Sequence, residues 1–278
     1  MIFLETSVNE YIDSKEKLGV SRIVDFKNFE KAFYDKFDGE LNLTQFQSVF
    51  RFNYKNFSVG VNCLNSSWRC YDSKTDKNRI ILGERQITEA RELINDCDIK
   101  IAIMHHPIEW LNEFEKKDIK ALISKDYQIL LCGHVHEGST WSKTDIYGSI
   151  FVSIAPSNWT YNFRSTSRDL SIGYSIIDFD LANRQIINHF RRYSKHKETF
   201  DPNTDMGSEK GILQYPIPTT ERITKISKEI EVAQSIKNFH FDEINEHLLT
   251  FNTDTKAPKN INELFVMPRV VEKVSLTS

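Results

Sequence analysis

Residues 99–104 and 127–132 form two runs of strand length that are dominated by consecutive apolar residues. Between them, residues 116–125 place Ile119, Leu122 and Ile123 on one helical face. A strand, a helix and a second strand at this spacing close as a parallel pair, because the crossover is too long for a hairpin. Strands that are apolar at successive positions, instead of alternating, fit a sheet covered on both faces. The resulting right-handed βαβ unit makes the chain an α/β protein. It also brings the residues after each strand, beginning at His105 and at Gly133, to one sheet edge.

The flanking segments fill in the sheet. Alternation over 45–53 predicts an antiparallel strand, within an aromatic stretch at 27–57 that reads as half-buried sheet and loop. Residues 57–64 predict a buried strand that ends at Asn65, Ser66 and Ser67. In 83–96, Ile87, Ala90, Leu93 and Ile94 recur at helical spacing and predict one amphipathic helix. After Gly138 short antiparallel strands are expected at 140–146, 149–154, 173–180 and 185–193, the last two joined by a tight turn. A cluster of Pro and Gly at 201–220 reads as a linker. Beyond it, helices are expected around 223–233 and 241–251. The division expected is a domain over 1–198 and a linker with a helical tail over 199–278.

Charge excludes little. Thirty-six Lys and Arg against 39 Asp and Glu leave a net charge of -3, so nucleic acid is not indicated as a partner. No apolar run approaches the roughly 20 residues of a bilayer-crossing helix, and the first residues lack a secretory pattern. A membrane partner is therefore not expected, and the cytoplasm is the expected location. Cys63, Cys70, Cys97 and Cys132 show no CxxC spacing and read as ordinary buried thiols.

The chemistry gathers at the strand ends. His105 follows one parallel strand directly; Gly133, His134, Val135 and His136 follow the next. Neighbouring strands lie about 4.8 Å apart, so imidazoles from the two loops can meet on one metal ion. Imidazole suits zinc, iron and manganese. The remaining histidines, His189, His196, His240 and His247, are scattered and read as structural or surface residues.

Met104-His105-His106-Pro107, followed after the crossover by Leu131-Cys132-Gly133-His134-Val135-His136, resembles the fourth and fifth motifs of calcineurin-like metallophosphoesterases. The resemblance spans about residues 57–195. It implies part of a four-layer α/β/β/α sandwich, with N-terminal strands missing, and a site for two divalent ions (Mn, Fe or Zn) at the strand ends. By motif position, His105 and His134 would bind one ion and His136 the other. His106 would take a catalytic role from the second shell or facing substrate. The implied activity is hydrolysis of a phosphomonoester or phosphodiester by a metal-activated hydroxide.

The family's Asp-x-His, Gly-Asp-x-x-Asp and Gly-Asn-His-Asp/Glu motifs do not occur in the sequence. Three neutral imidazoles offset none of the charge of two divalent ions. The isolated chain is therefore expected to be a poor catalyst, either truncated or completed by a separately encoded N-terminal half, with the parallel pair showing an uncovered edge. Residues 263–269, Glu-Leu-Phe-Val-Met-Pro-Arg, resemble the connector by which some bacterial metallophosphoesterase domains lead into a STAND-type NTPase module. The alternatives are a non-catalytic signalling or scaffold module derived from the same fold, and a mononuclear three-histidine zinc hydrolase. Sequence leaves the substrate, metal identity and oligomeric state open.

Overall fold

The computed structural model describes residues 5–13, 21–54, 57–72, 75–135, 138–156, 172–218 and 228–238. The chain divides into two compact units, Met1–Ile226 and Ser227–Ser278. Of the second, residues 228–238 are helical; the helix expected at 241–251 and the motif at 263–269 lie outside the described residues.

The first unit is mixed α/β. Its large sheet runs in the order β1 (Glu40–Leu43), β2 (Gln47–Asn53), β3 (Ser58–Leu64), β4 (Ile99–Met104), β5 (Ile129–Cys132), β7 (Gly148–Ile154), β6 (Ser139–Asp145). The four central strands, β3, β4, β5 and β7, are mutually parallel. Antiparallel hairpin partners close both ends. The uncovered edge expected beside the parallel pair is thus absent: β3 pairs with β4 from Val59↔Ile99 to Leu64↔Met104. Its buried positions alternate with half-buried ones, which suits a strand with neighbours on both sides.

One face of this sheet is covered by α3 (Arg85–Thr88), α4 (Arg91–Ile94) and α5 (Glu113–Asp126). Ile87, Ala90, Ile94, Ile119 and Ile123 pack there with Val49, Ala102, Leu130 and Val152. The single helix expected over 83–96 is two short ones. Glu92 and Leu93 donate to carbonyls three residues back, at 3.2 and 3.1 Å, and this tighter turn interrupts the α pattern. The other face meets a second sheet, built on β9 (Gln185–Ser194), through Ile99, Ile129 and Phe151 against Ile186 and Ile217. Asn188 of β9 donates to Thr140 Oγ1 and Ser153 Oγ at 3.1 and 3.2 Å. The layers are therefore helix, large sheet and small sheet; a second helical layer is not seen among the described residues.

In the small sheet β8 (Gly173–Asp180) pairs along one edge of β9, while β10 (Thr199–Pro202) and β11 (Ile212–Pro216) share the other. The stretch expected as a linker at 201–220 instead contributes the end of β10 and all of β11 to this sheet, joined by turns. Its glycines serve close backbone approach: Gly211, at φ +65°, would bring a Cβ within 2.7 Å of Asn203 N and 2.8 Å of Phe190 O. The aromatic stretch at 27–57 also differs from expectation at its start, where Ser21–Phe33 is helix α2. Phe26, Phe29 and Phe33 recur at spacings of three and four, a helical period that the abundance of β-forming aromatics obscured. Ahead of it, α1 (Glu5–Asp13) packs Val8 and Ile12 on Phe46, Trp68 and Ile81.

Candidate metal centre

The ends of β3, β4 and β5 lie side by side in register, Leu64 beside Met104 and Met104 beside Cys132. Each strand therefore delivers its following residues to the same place. After β4 come His105 and His106. After β5, Gly133 donates its N–H to His105 O at 3.1 Å, and His134 takes up a left-handed backbone, φ +66°. That conformation is uncommon outside glycine and is found where function constrains the chain. Here it turns the His134 ring back toward the β4 loop.

After β3, the chain is clamped by Gln86, which is fully buried. Its amide accepts from Asn65 N at 2.7 Å and donates to Asn65 O and Leu82 O at 3.0 and 2.6 Å. This holds Ser66 over His106: the Ser66 hydroxyl lies 2.9 Å from His106 Nδ1 and accepts the His106 backbone N–H at 3.2 Å.

Three imidazoles result, with one nitrogen from each of His105, His106 and His134 lying within 4.8 Å of the others. His105 Nε2 and His134 Nδ1 are 3.0 Å apart. His105 is exposed, His134 half-buried and His106 only 3% exposed. Trp110 walls the group, its ring centre 4.4 Å from that of His134 and 5.9 Å from that of His106. Burial pushes the His106 pKa down to about 4, helped by the neighbouring His105 and His134 and opposed by Asp76; burial also lowers that of His105. Both rings are thus neutral near pH 7, the form that offers a lone pair to a cation.

The donor set fits one transition-metal ion. A tetrahedral ion with bonds of about 2.05 Å sets its nitrogen ligands about 3.3 Å apart, close to the His105–His134 separation. Ser66 at His106 Nδ1 is the kind of partner that fixes a ligating ring and leaves Nε2 for the metal. Of the expected ligands, the structure brings His105 and His134 together; His136 lies outside the described residues. His106 is turned into the protein beside them, 3% exposed. No carboxylate joins the group among the described residues.

Sequence reasoning missed Ser66, Gln86, Trp110 and Cys70, whose Sγ lies 3.8 Å from His106 Nε2. Residue spacing gives no sign that Gln86 meets Asn65 or that Ser66 meets His106. His105 opens onto a cavity of about 370 Å³ that is also lined by Lys27, Glu30, Ser48 and Cys63.

No family model matches the sequence, and no curated protein matches it. Among solved structures, the crystal structure of Chaetomium thermophilum Vps29 aligns with a TM-score of 0.26 and 11% identity, over 75% of this chain and 95% of that one. A likeness of that size says nothing of function.

Proposed function

We propose that the chain binds a divalent transition-metal ion at His105, His106 and His134 and uses it in phosphoester hydrolysis, with slow turnover by the chain alone. The observation that supports this is the meeting of three imidazole nitrogens at the carboxyl edge of β4 and β5, where open α/β sheets place their ligands. The resemblance of the His-His-Pro and Gly-His-Val-His segments to metallophosphoesterase motifs supplies the substrate class. A divalent ion there would contribute Lewis acidity and neutralise charge on the phosphoryl oxygens. The chain's own residues orient the site: Ser66 holds the His106 ring and Trp110 keeps water from one side of it. The exposed His105 and its cavity leave room for a phosphate ester, with Lys27 on the cavity wall. Slow turnover follows from the donor set, since no carboxylate that could hold a second ion joins the group among the described residues. The test is hydrolysis of an aryl phosphate by the full chain with Zn²⁺ or Mn²⁺. Weak metal-dependent activity that disappears in His134→Ala is expected; no activity above that of the variant would overturn the hydrolytic reading.

A second reading has its own observation. Helix α2 turns Phe26, Phe29 and Phe33 to solvent at 60%, 62% and 67% exposure. Contiguous exposed apolar surface of this kind marks interaction sites, as a non-catalytic scaffold would need. Metal content separates the two, because the scaffold reading has no need of an ion.

A further inference from the structure

We propose that Cys70 is a ligand of the same ion, so that the centre is the thiolate-containing set Cys70, His105, His106 and His134. This inference rests on the metal-binding reading above. The ring of His106 is held by Ser66 at Nδ1, 2.9 Å away, and presents Nε2 to Cys70 Sγ at 3.8 Å. A tetrahedral ion bonded to sulfur at about 2.3 Å and to nitrogen at about 2.05 Å separates the two donors by about 3.6 Å. The observed pair is thus close to ligating distance with no ion present. Cys70 Sγ does not itself join the group of donor atoms lying within 4.8 Å of one another, and rotation about the one side-chain torsion of cysteine, which now aims the thiol at Ser66 O 3.4 Å away, is needed to bring it in.

Charge argues the same way. Three imidazoles leave the double charge of the ion untouched, whereas a thiolate removes one unit directly. Asp76, 8% exposed, accepts Tyr71 N–H on both oxygens at 3.1 Å and carries its charge near Cys70 and His106; burial, with that charge, holds the free thiol up at about 11, so Cys70 gives up its proton to solvent only as the ion binds. The segment after β3, pinned by Gln86 at its start, therefore supplies Ser66 and Cys70, both beside the His106 ring, and the charge of Asp76 lies near it. Thiolate with imidazole is a borderline-soft donor set. It selects zinc over magnesium, which asks for oxygen ligands, and over manganese.

Cobalt(II) substitution of the full chain tests the proposal without reference to activity. Wild-type protein with one equivalent of Co²⁺ is expected to show visible bands of tetrahedral cobalt and a near-ultraviolet thiolate-to-cobalt charge-transfer band. Cys70→Ser is expected to lose the charge-transfer band and to bind Co²⁺ at least about tenfold more weakly. Cys63→Ser, altering the thiol in the cavity beside His105, is expected to keep the band. Should Cys70→Ser fail to fold, alkylation of the wild type decides: saturating Zn²⁺ is expected to protect Cys70. Cobalt bound without the charge-transfer band, or Cys70 alkylated equally fast with and without zinc, would overturn the ligand assignment and leave the metal reading standing. No cobalt or zinc bound at all would overturn both.

Discussion

His106 shows how much a single position depends on contacts distant in sequence. Its ring is buried beneath Ser66, 40 residues earlier in the chain, and its pKa is driven down to about 4. In the unfolded chain a histidine titrates near 6.5. With the folded value below the unfolded one, the unfolded state takes up the proton first as pH falls. Stability of the metal-free protein is therefore full above about pH 6.5 and declines as the pH falls toward 4, by about 3 kcal/mol in all. Urea midpoints measured across this window should fall with pH in the wild type and fall less in His106→Gln. An equal decline in both would contradict the assignment. Ser66→Ala removes the partner that orients the ring, and zinc affinity should drop by about 10–100-fold; calorimetric titration measures this. That His105 and His134 come together was legible in the sequence because each lies within two residues of the end of a recognisable strand. The roles of Ser66 and Cys70 were not, since a loop's path across a sheet edge leaves no periodicity to read.

Among the elements, the buried polar clamps decide where the strand ends sit. Glu115, in the first turn of α5, is 2% exposed and accepts Leu82 N–H and Gly83 N–H at 2.6 and 3.0 Å. In the sequence it resembles any acidic residue near a helix N-terminus. Glu115→Ala strands two buried backbone donors, at about 1–3 kcal/mol each. Denaturant unfolding should show a loss of about 2–5 kcal/mol, and a change below 1 kcal/mol would show that water replaces the carboxylate. The packing of α4 on β3 depends on Gly60, where an added Cβ would lie 2.6 Å from Ile94 Cβ and 3.2 Å from Cys97 Sγ. Gly60→Val should cost about 1–3 kcal/mol by overpacking, read from the shift in thermal midpoint. Strands were the most legible elements, as β3, β4, β5 and the β8–β9 hairpin carry their patterns locally. Helix α2 was not, because Phe26, Phe29 and Phe33 face solvent and so break the usual link between apolar residues and the core.

For the whole molecule, the sequence revealed the α/β class through the 99–132 crossover, while the layering of two sheets rests on pairings it did not disclose. The strands β10 and β11 come from a stretch whose Pro and Gly content resembles a linker, and their glycines prove to serve backbone approach. His105, His106 and His134 lie in the unit Met1–Ile226, so a fragment ending at Ile226 should bind zinc with the affinity of the full chain. Weaker binding by the folded fragment would assign part of the site to the remainder. A one-ion centre held by imidazoles of the β4 and β5 loops is tested most directly by native mass spectrometry of zinc-loaded protein. One zinc per wild-type chain and none in a folded His105→Ala, His134→Ala double variant is the expected result. Equal zinc content in the two proteins, or none in either, would contradict it.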